Sequence, residues 1–91
     1  MSQRKWRRRK GVDFTVMDGE AVLVEPKSGR YLSMDPVATR IWEILEETGD
    51  PEAVIERMLE DFEVEEARLR GDVHALLEEC MQLGLLEEVT S

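Results

Sequence analysis

Between Phe14 and Met34 lie three short strand-like segments, and beyond Asp35-Pro36 the apolar residues recur every three or four positions. The first pattern is that of half-buried strands and the second that of an amphipathic helix, so the chain changes secondary structure within Tyr31 to Trp42. Phe14 to Met17 alternates weakly, Asp18-Gly19 is a tight-turn pair, and Glu20 to Glu25 encloses the β-prone run Ala-Val-Leu-Val. These segments predict a hairpin. Pro26 and Lys27-Ser28-Gly29 supply a second turn, after which Arg30 to Met34 forms a third short strand with Leu32 and Met34 on one face and Tyr31 and Ser33 on the other. A three-stranded antiparallel meander is expected.

Three helices follow. Asp35 suits an N-cap, because its carboxylate accepts an orphan helix amide, and Pro36 suits the first helical position, where a missing N–H costs nothing. Ala38, Ile41, Trp42 and Leu45 form the apolar stripe, and Gly49 ends the helix. Asp50-Pro51 repeats the start signal for a second helix lined by Val54, Ile55, Met58, Leu59 and Phe62 and ending near Glu63. The third runs from about Glu65 to Leu83, with Leu69, Val73, Leu76 and Cys80 on one face and Leu77 and Met81 flanking it. Gly84 stops it, and Leu85 and Leu86 tuck back onto the core. The pattern gives an α+β domain, a three-stranded antiparallel sheet followed by three helices.

At 91 residues the chain is one small domain near the size at which a single apolar core becomes marginal. Cys80 is the only cysteine, which excludes an intramolecular disulfide and a cysteine-based zinc site and fits a reducing cytosol. No apolar segment follows the basic start and the longest apolar run is Ala21 to Val24, so neither a signal peptide nor a membrane span is expected, and the mature chain is expected to be the whole chain. Charge is distributed unevenly. Arg4, Lys5, Arg7, Arg8, Arg9 and Lys10 are six of the 12 basic residues, and the rest of the chain sets six basic residues against 21 acidic ones. Residues 1–11 lack periodicity and are expected to be a mobile basic tail, with residues 12–88 as the domain. The sharper alternatives are an arm that docks on an acidic partner or one that folds back on the acidic body. That body repels phosphate backbones, which disfavours nucleic-acid binding by the folded part.

Catalytic parts are missing. His74 has no nucleophile or second ligand near it in sequence, and Cys80 shares a stripe with Leu69 and Val73, as a buried structural thiol would. The six glycines are scattered, so none builds a phosphate loop. Carboxylate pairs such as Glu46-Glu47 and Glu78-Glu79 belong to solvated helix faces. Gly71 interrupts the third helix at a cost of about 1 kcal/mol relative to alanine. It is read as a tolerated surface glycine, or a break before the main helix, in preference to a site of close backbone approach. No cofactor is expected, and the chain reads as a binding protein.

Leu32-x-Met34-Asp35-x-x-Ala38-x-x-Ile41-Trp42 resembles the signature of the PqqD-like peptide recognition elements, apolar-x-Leu-Asn-x-x-Ala-x-x-Ile-[Leu/Trp]. Val54-Ile55-x-x-Met58-Leu59 and Leu76-Leu77-x-x-Cys80-x-x-Leu83-Gly84-Leu85-Leu86 extend the likeness over about residues 13 to 87. Met34 and Asp35 replace the commoner Leu-Asn and keep a buried apolar residue and a capping oxygen. The resemblance implies a winged helix-turn-helix-like fold that binds the leader segment of a ribosomally made precursor peptide. The leader adds as an antiparallel strand to the third strand and lies in the groove beside the third helix. Carried onto this chain, Arg30, Tyr31, Leu32, Ser33 and Met34 supply the edge, and Leu69, Asp72, Val73, Leu76 and Cys80 line or rim the groove, some of them filling the core instead.

Gly29-Arg30-Tyr31-Leu32-Ser33-Met34-Asp35 followed by Ile41-Trp42 is most similar to the freestanding leader-binding proteins of lasso-peptide biosynthesis, which implies a separate cysteine protease as leader peptidase. Other freestanding relatives serve other modifying enzymes. An exposed sheet edge is also a route to a weak homodimer. The alternative is a winged-helix nucleic-acid-binding protein that uses the basic tail as its arm.

Overall fold

The computed structural model describes residues 5–89. In chain order it contains β1 (Lys5–Arg8), β2 (Asp13–Met17), β3 (Glu20–Glu25), β4 (Arg30–Ser33), α1 (Pro36–Thr48), α2 (Pro51–Asp61), α3 (Glu66–Gln82) and β5 (Leu86–Val89). The expected meander is present as an antiparallel sheet of order β2-β3-β4. Its register aligns Phe14, Leu23 and Leu32 across the three strands, one residue from each on the same face. That face rests on the helices, with Ala21 and Leu23 fully buried. Asp18, in the left-handed region at φ 54°, and Gly19 make the β2–β3 turn, as the Asp-Gly pair requires.

The helix boundaries follow the capping chemistry. Asp35 Oδ1 accepts the Ala38 N–H at 2.7 Å, Pro36 opens α1, and Gly49 closes it in the left-handed region while donating its N–H to Leu45 O. Asp50 Oδ1 accepts the Glu52 N–H at 3.0 Å and Pro51 opens α2. Trp42, Leu23, Ile44, Ile55, Met58, Leu85, Val54, Val73 and Cys80 are the largest fully buried side chains, so sheet, helices and the chain after α3 share one core.

Three features differ from the sequence pattern. Phe62 is the C-cap of α2 and is exposed, because the helix stops at Asp61. Leu77 joins Leu69, Val73 and Cys80 in the core of α3, and Leu76 turns toward solvent and is half-buried. Gly71 agrees with the sequence reading: it lies within a continuous α3, and a Cβ there would meet nothing within 4 Å, so it is a surface glycine without a close-approach role.

The largest difference is at the basic start. Lys5–Arg8 is a strand, paired antiparallel with β5 from Lys5 opposite Val89 to Arg8 opposite Leu86, where a mobile tail was expected. A charge run hides this pairing in the sequence. Its partner Leu86-Glu87-Glu88-Val89 supplies opposite charge, and Arg7 Nε lies 2.6 Å from Glu87 Oε2. Arg8 Nε lies 3.2 Å from Glu46 on α1, and its guanidinium sits over the Phe14 ring, 5.8 Å from the centroid. The arm thus folds back onto the acidic body. Residues 1–4 of the expected tail lie outside the described residues.

Candidate functional site

β4 bonds only to β3, so among the described residues its second edge carries no strand. The Met34 N–H donates to Ala21 O at 2.8 Å, which fixes the direction of its backbone groups. Because these groups alternate sides along a strand, Leu32 shares that inward direction, and the N–H and C=O of Tyr31 and Ser33 turn to the open edge. Two donors and two acceptors are therefore presented outward at alternate residues.

Thr39 closes the sheet at this corner. Its buried Oγ1 accepts the Ala21 N–H at 2.8 Å and faces Met34 O at 3.5 Å. A side chain from the first turn of α1 thereby takes the place of the next ladder bond, holding α1 against the β3–β4 end.

Each end of the open edge meets a cleft bordered by α3 or by the turn after it. At its Arg30 end, a cleft of about 200 Å³ is lined by Arg9, Lys10, Arg30 and Glu25 together with Leu83 and Gly84. At its other end, beyond Ser33, a cleft of about 370 Å³ lies between α1 and α3, lined by Asp35, Val37, Ala38, Ile41, Leu76 and Glu79, with Asp72 and Ala75. Val37 and Asp72 also line the adjoining cleft of about 380 Å³, whose floor includes Met58 and Leu69 and whose rim carries the exposed Phe62 and Val64. An apolar trough bordered by charge thus continues from the end of β4 to the α2–α3 connection.

The site residues named from the sequence separate into two groups. Arg30, Tyr31 and Ser33 are exposed on β4, Leu32 is half-buried, and Asp72 and Leu76 line the cleft. Met34, Val73 and Cys80 are core, with Val73 and Cys80 fully buried; Leu69 is 4% exposed and reaches the neighbouring cleft from below. Burial pushes the Cys80 thiol up to about 12, with Glu79 adding to the effect, so it remains a neutral core group. Val37, Ala38, Ala75 and Glu79 complete the cleft and were not singled out as lining. Val37 carried a signal, since it is an apolar residue off the α1 stripe, and at 52% exposure it faces the trough.

The parts for other chemistry are sparse. Among the described residues no group of three or more His, Cys, Asp or Glu is placed to hold a metal ion. No helix among them is long and apolar enough to cross a membrane. Arg7 and Arg8 are engaged by Glu87 and Glu46, which weighs against a free arm for nucleic acid.

The family model described as coenzyme PQQ synthesis protein D (PqqD) matches residues 20–86. None of the curated proteins matches the chain. Among solved structures, TbiB1 in complex with the TbiA(beta) leader peptide is 29% identical, with a TM-score of 0.81 over 89% of this chain and 94% of that one. Lasso peptide synthetase B1 complexed with the leader peptide is 25% identical, with a TM-score of 0.82 over 91% and 98%. These matches bear out the resemblance read from Leu32 to Trp42 and the fold it implied.

Proposed function

The chain belongs to the PqqD family, and on that premise we propose that it is a non-catalytic recognition element for the leader segment of a ribosomally made precursor peptide, in lasso-peptide biosynthesis. The leader adds antiparallel to β4, pairing with the outward backbone groups of Tyr31 and Ser33, and its side chains enter the trough beside α3. Backbone bonds along an open edge give affinity, and pockets at alternate residues give specificity. The observation that carries this reading is the unpaired β4 edge, with Asp35 just past its end lining the Val37–Leu76 cleft. Likeness to two structures held with leader peptides supports it. The bound precursor then passes in the cytoplasm to a separate leader peptidase or modifying enzyme. The same edge in a second copy would be the route to a weak homodimer.

Ser33→Pro tests the edge, because it removes an outward N–H without touching the β3–β4 ladder. Titration with a fluorescent precursor leader should give a Kd in the micromolar range or tighter, roughly -8 kcal/mol or better, for the natural chain. Ser33→Pro should weaken it at least tenfold, with Ser33→Ala as the control. Full-strength binding by a folded Ser33→Pro variant excludes strand addition here.

A further inference from the structure

The groove is oppositely charged at its two ends. At the Asp35 end the cleft is lined by Asp35, Asp72 and Glu79 and by no cation. At the Arg30 end three cations, Arg9, Lys10 and Arg30, face the single carboxylate of Glu25. The Nη1 atoms of Arg9 and Arg30 each lie 3.9 Å from the position a Cβ on Gly84 would take, so both guanidiniums converge on one point past the end of α3. Part of this positive charge answers the carbonyl end of the helix. Arg9 also lies 3.9 Å from Glu87, so that cation is shared with β5.

Direction follows from strand geometry. A peptide antiparallel to β4 enters at the Asp35 end and leaves at the Arg30 end, so its N-terminal part meets the carboxylates and its C-terminal part meets the cations. We propose that the groove selects its peptide by charge polarity. A Lys or Arg sits against Asp72 and Glu79, and an Asp or Glu follows about five residues later, against Arg30, Arg9 and Lys10, at about 3.3 Å per strand residue. Asp72, Glu79 and Arg30 are thus specificity residues. This rests on the leader-binding reading above, and it adds which leaders fit and in which direction. Reversed charges meet like charges at both ends and are rejected, which is how electrostatics contributes most to selectivity.

Displayed random twelve-residue peptides, selected on the natural chain, provide the probe. Clones that lose binding to Ser33→Pro and keep it to Ser33→Ala are edge binders. These should be enriched in a basic residue ahead of an acidic one. A synthetic peptide of the commonest sequence should bind about tenfold more tightly than the version with its basic and acidic residues exchanged, and the difference should shrink at high salt. The triple variant Asp72→Lys, Glu79→Lys, Arg30→Glu should reverse that preference. Edge binders without the polarity, or a charge-exchanged peptide bound equally well, would overturn the proposal and leave leader binding standing. If no edge binder emerges and a precursor leader also fails to bind, leader recognition itself falls and the polarity falls with it.

Discussion

The Ala21 N–H at the start of β3 donates to the side-chain oxygen of Thr39 at 2.8 Å, in a corner where both residues are buried. This bond connects the sheet to the first turn of α1, two elements that the sequence places on either side of Asp35-Pro36. Thr39→Val keeps the shape and removes the acceptor, leaving a buried N–H without a partner. The expected cost is about 1–3 kcal/mol, read as a lower urea midpoint with an unchanged slope. Thr39→Ser, which restores the oxygen, should recover most of it.

Trp6 donates its backbone N–H to Gly49 O at 2.8 Å, and a Cβ on Gly49 would sit 3.1 Å from the Trp6 carbonyl oxygen. Gly49 also adopts φ 68°, so alanine there meets backbone strain and a crowded strand together. Gly49→Ala should cost about 1–2 kcal/mol from the left-handed backbone alone and displace β1 further. Because Trp6 is half-buried against the core, its fluorescence should shift to the red in the variant. Deleting residues 1–8 should lower the melting temperature by several degrees, the outcome a solvated tail would not give.

The strand-to-helix switch was legible because Asp35-Pro36 and Asp50-Pro51 carry their own capping chemistry and the periods on either side differ. The two faces of β4 were legible for the same reason, since alternation assigns Tyr31 and Ser33 to one and Leu32 and Met34 to the other; which residues form the binding edge came only from the family resemblance. The β1–β5 pair was not, because its pairing depends on residues some eighty positions apart and its charge pattern matches a solvated segment locally. Nor did spacing decide which residues of α3 face the trough. Leu76 and Leu77 are neighbours, both apolar, and only the position of α1 makes Leu77 core and Leu76 a cleft residue. The cleft itself joins α1 to α3, a juxtaposition that no local motif encodes.

That division between Leu76 and Leu77 has separable consequences. Leu77→Ala empties a buried site and should cost about 2–5 kcal/mol, whereas Leu76→Ala should cost less than half as much. For binding of an edge-dependent peptide the order reverses among folded variants: Leu76→Ala should weaken it about tenfold, or 1.4 kcal/mol. Denaturant curves and peptide titrations on the two variants read both effects. Equal affinity of Leu76→Ala and the natural chain would remove this side chain from the trough.

Cys80 gives the pH-dependent test. Its thiol is 0% exposed, and burial raises its pKa from 9.0 to about 12. The folded state therefore holds the proton more tightly than the unfolded chain does. The sign is that of a group raised on folding, so its contribution is fully present below about pH 9 and declines as pH climbs toward about 12. Stability should fall over that window, and Cys80→Ala should flatten part of the decline. Alkylation supplies the kinetic counterpart. At pH 8 iodoacetamide should label the natural chain only as fast as it opens, and urea above the midpoint should speed labelling by orders of magnitude. Rapid labelling of the folded chain would place the thiol at the surface and contradict its position on the buried face of α3.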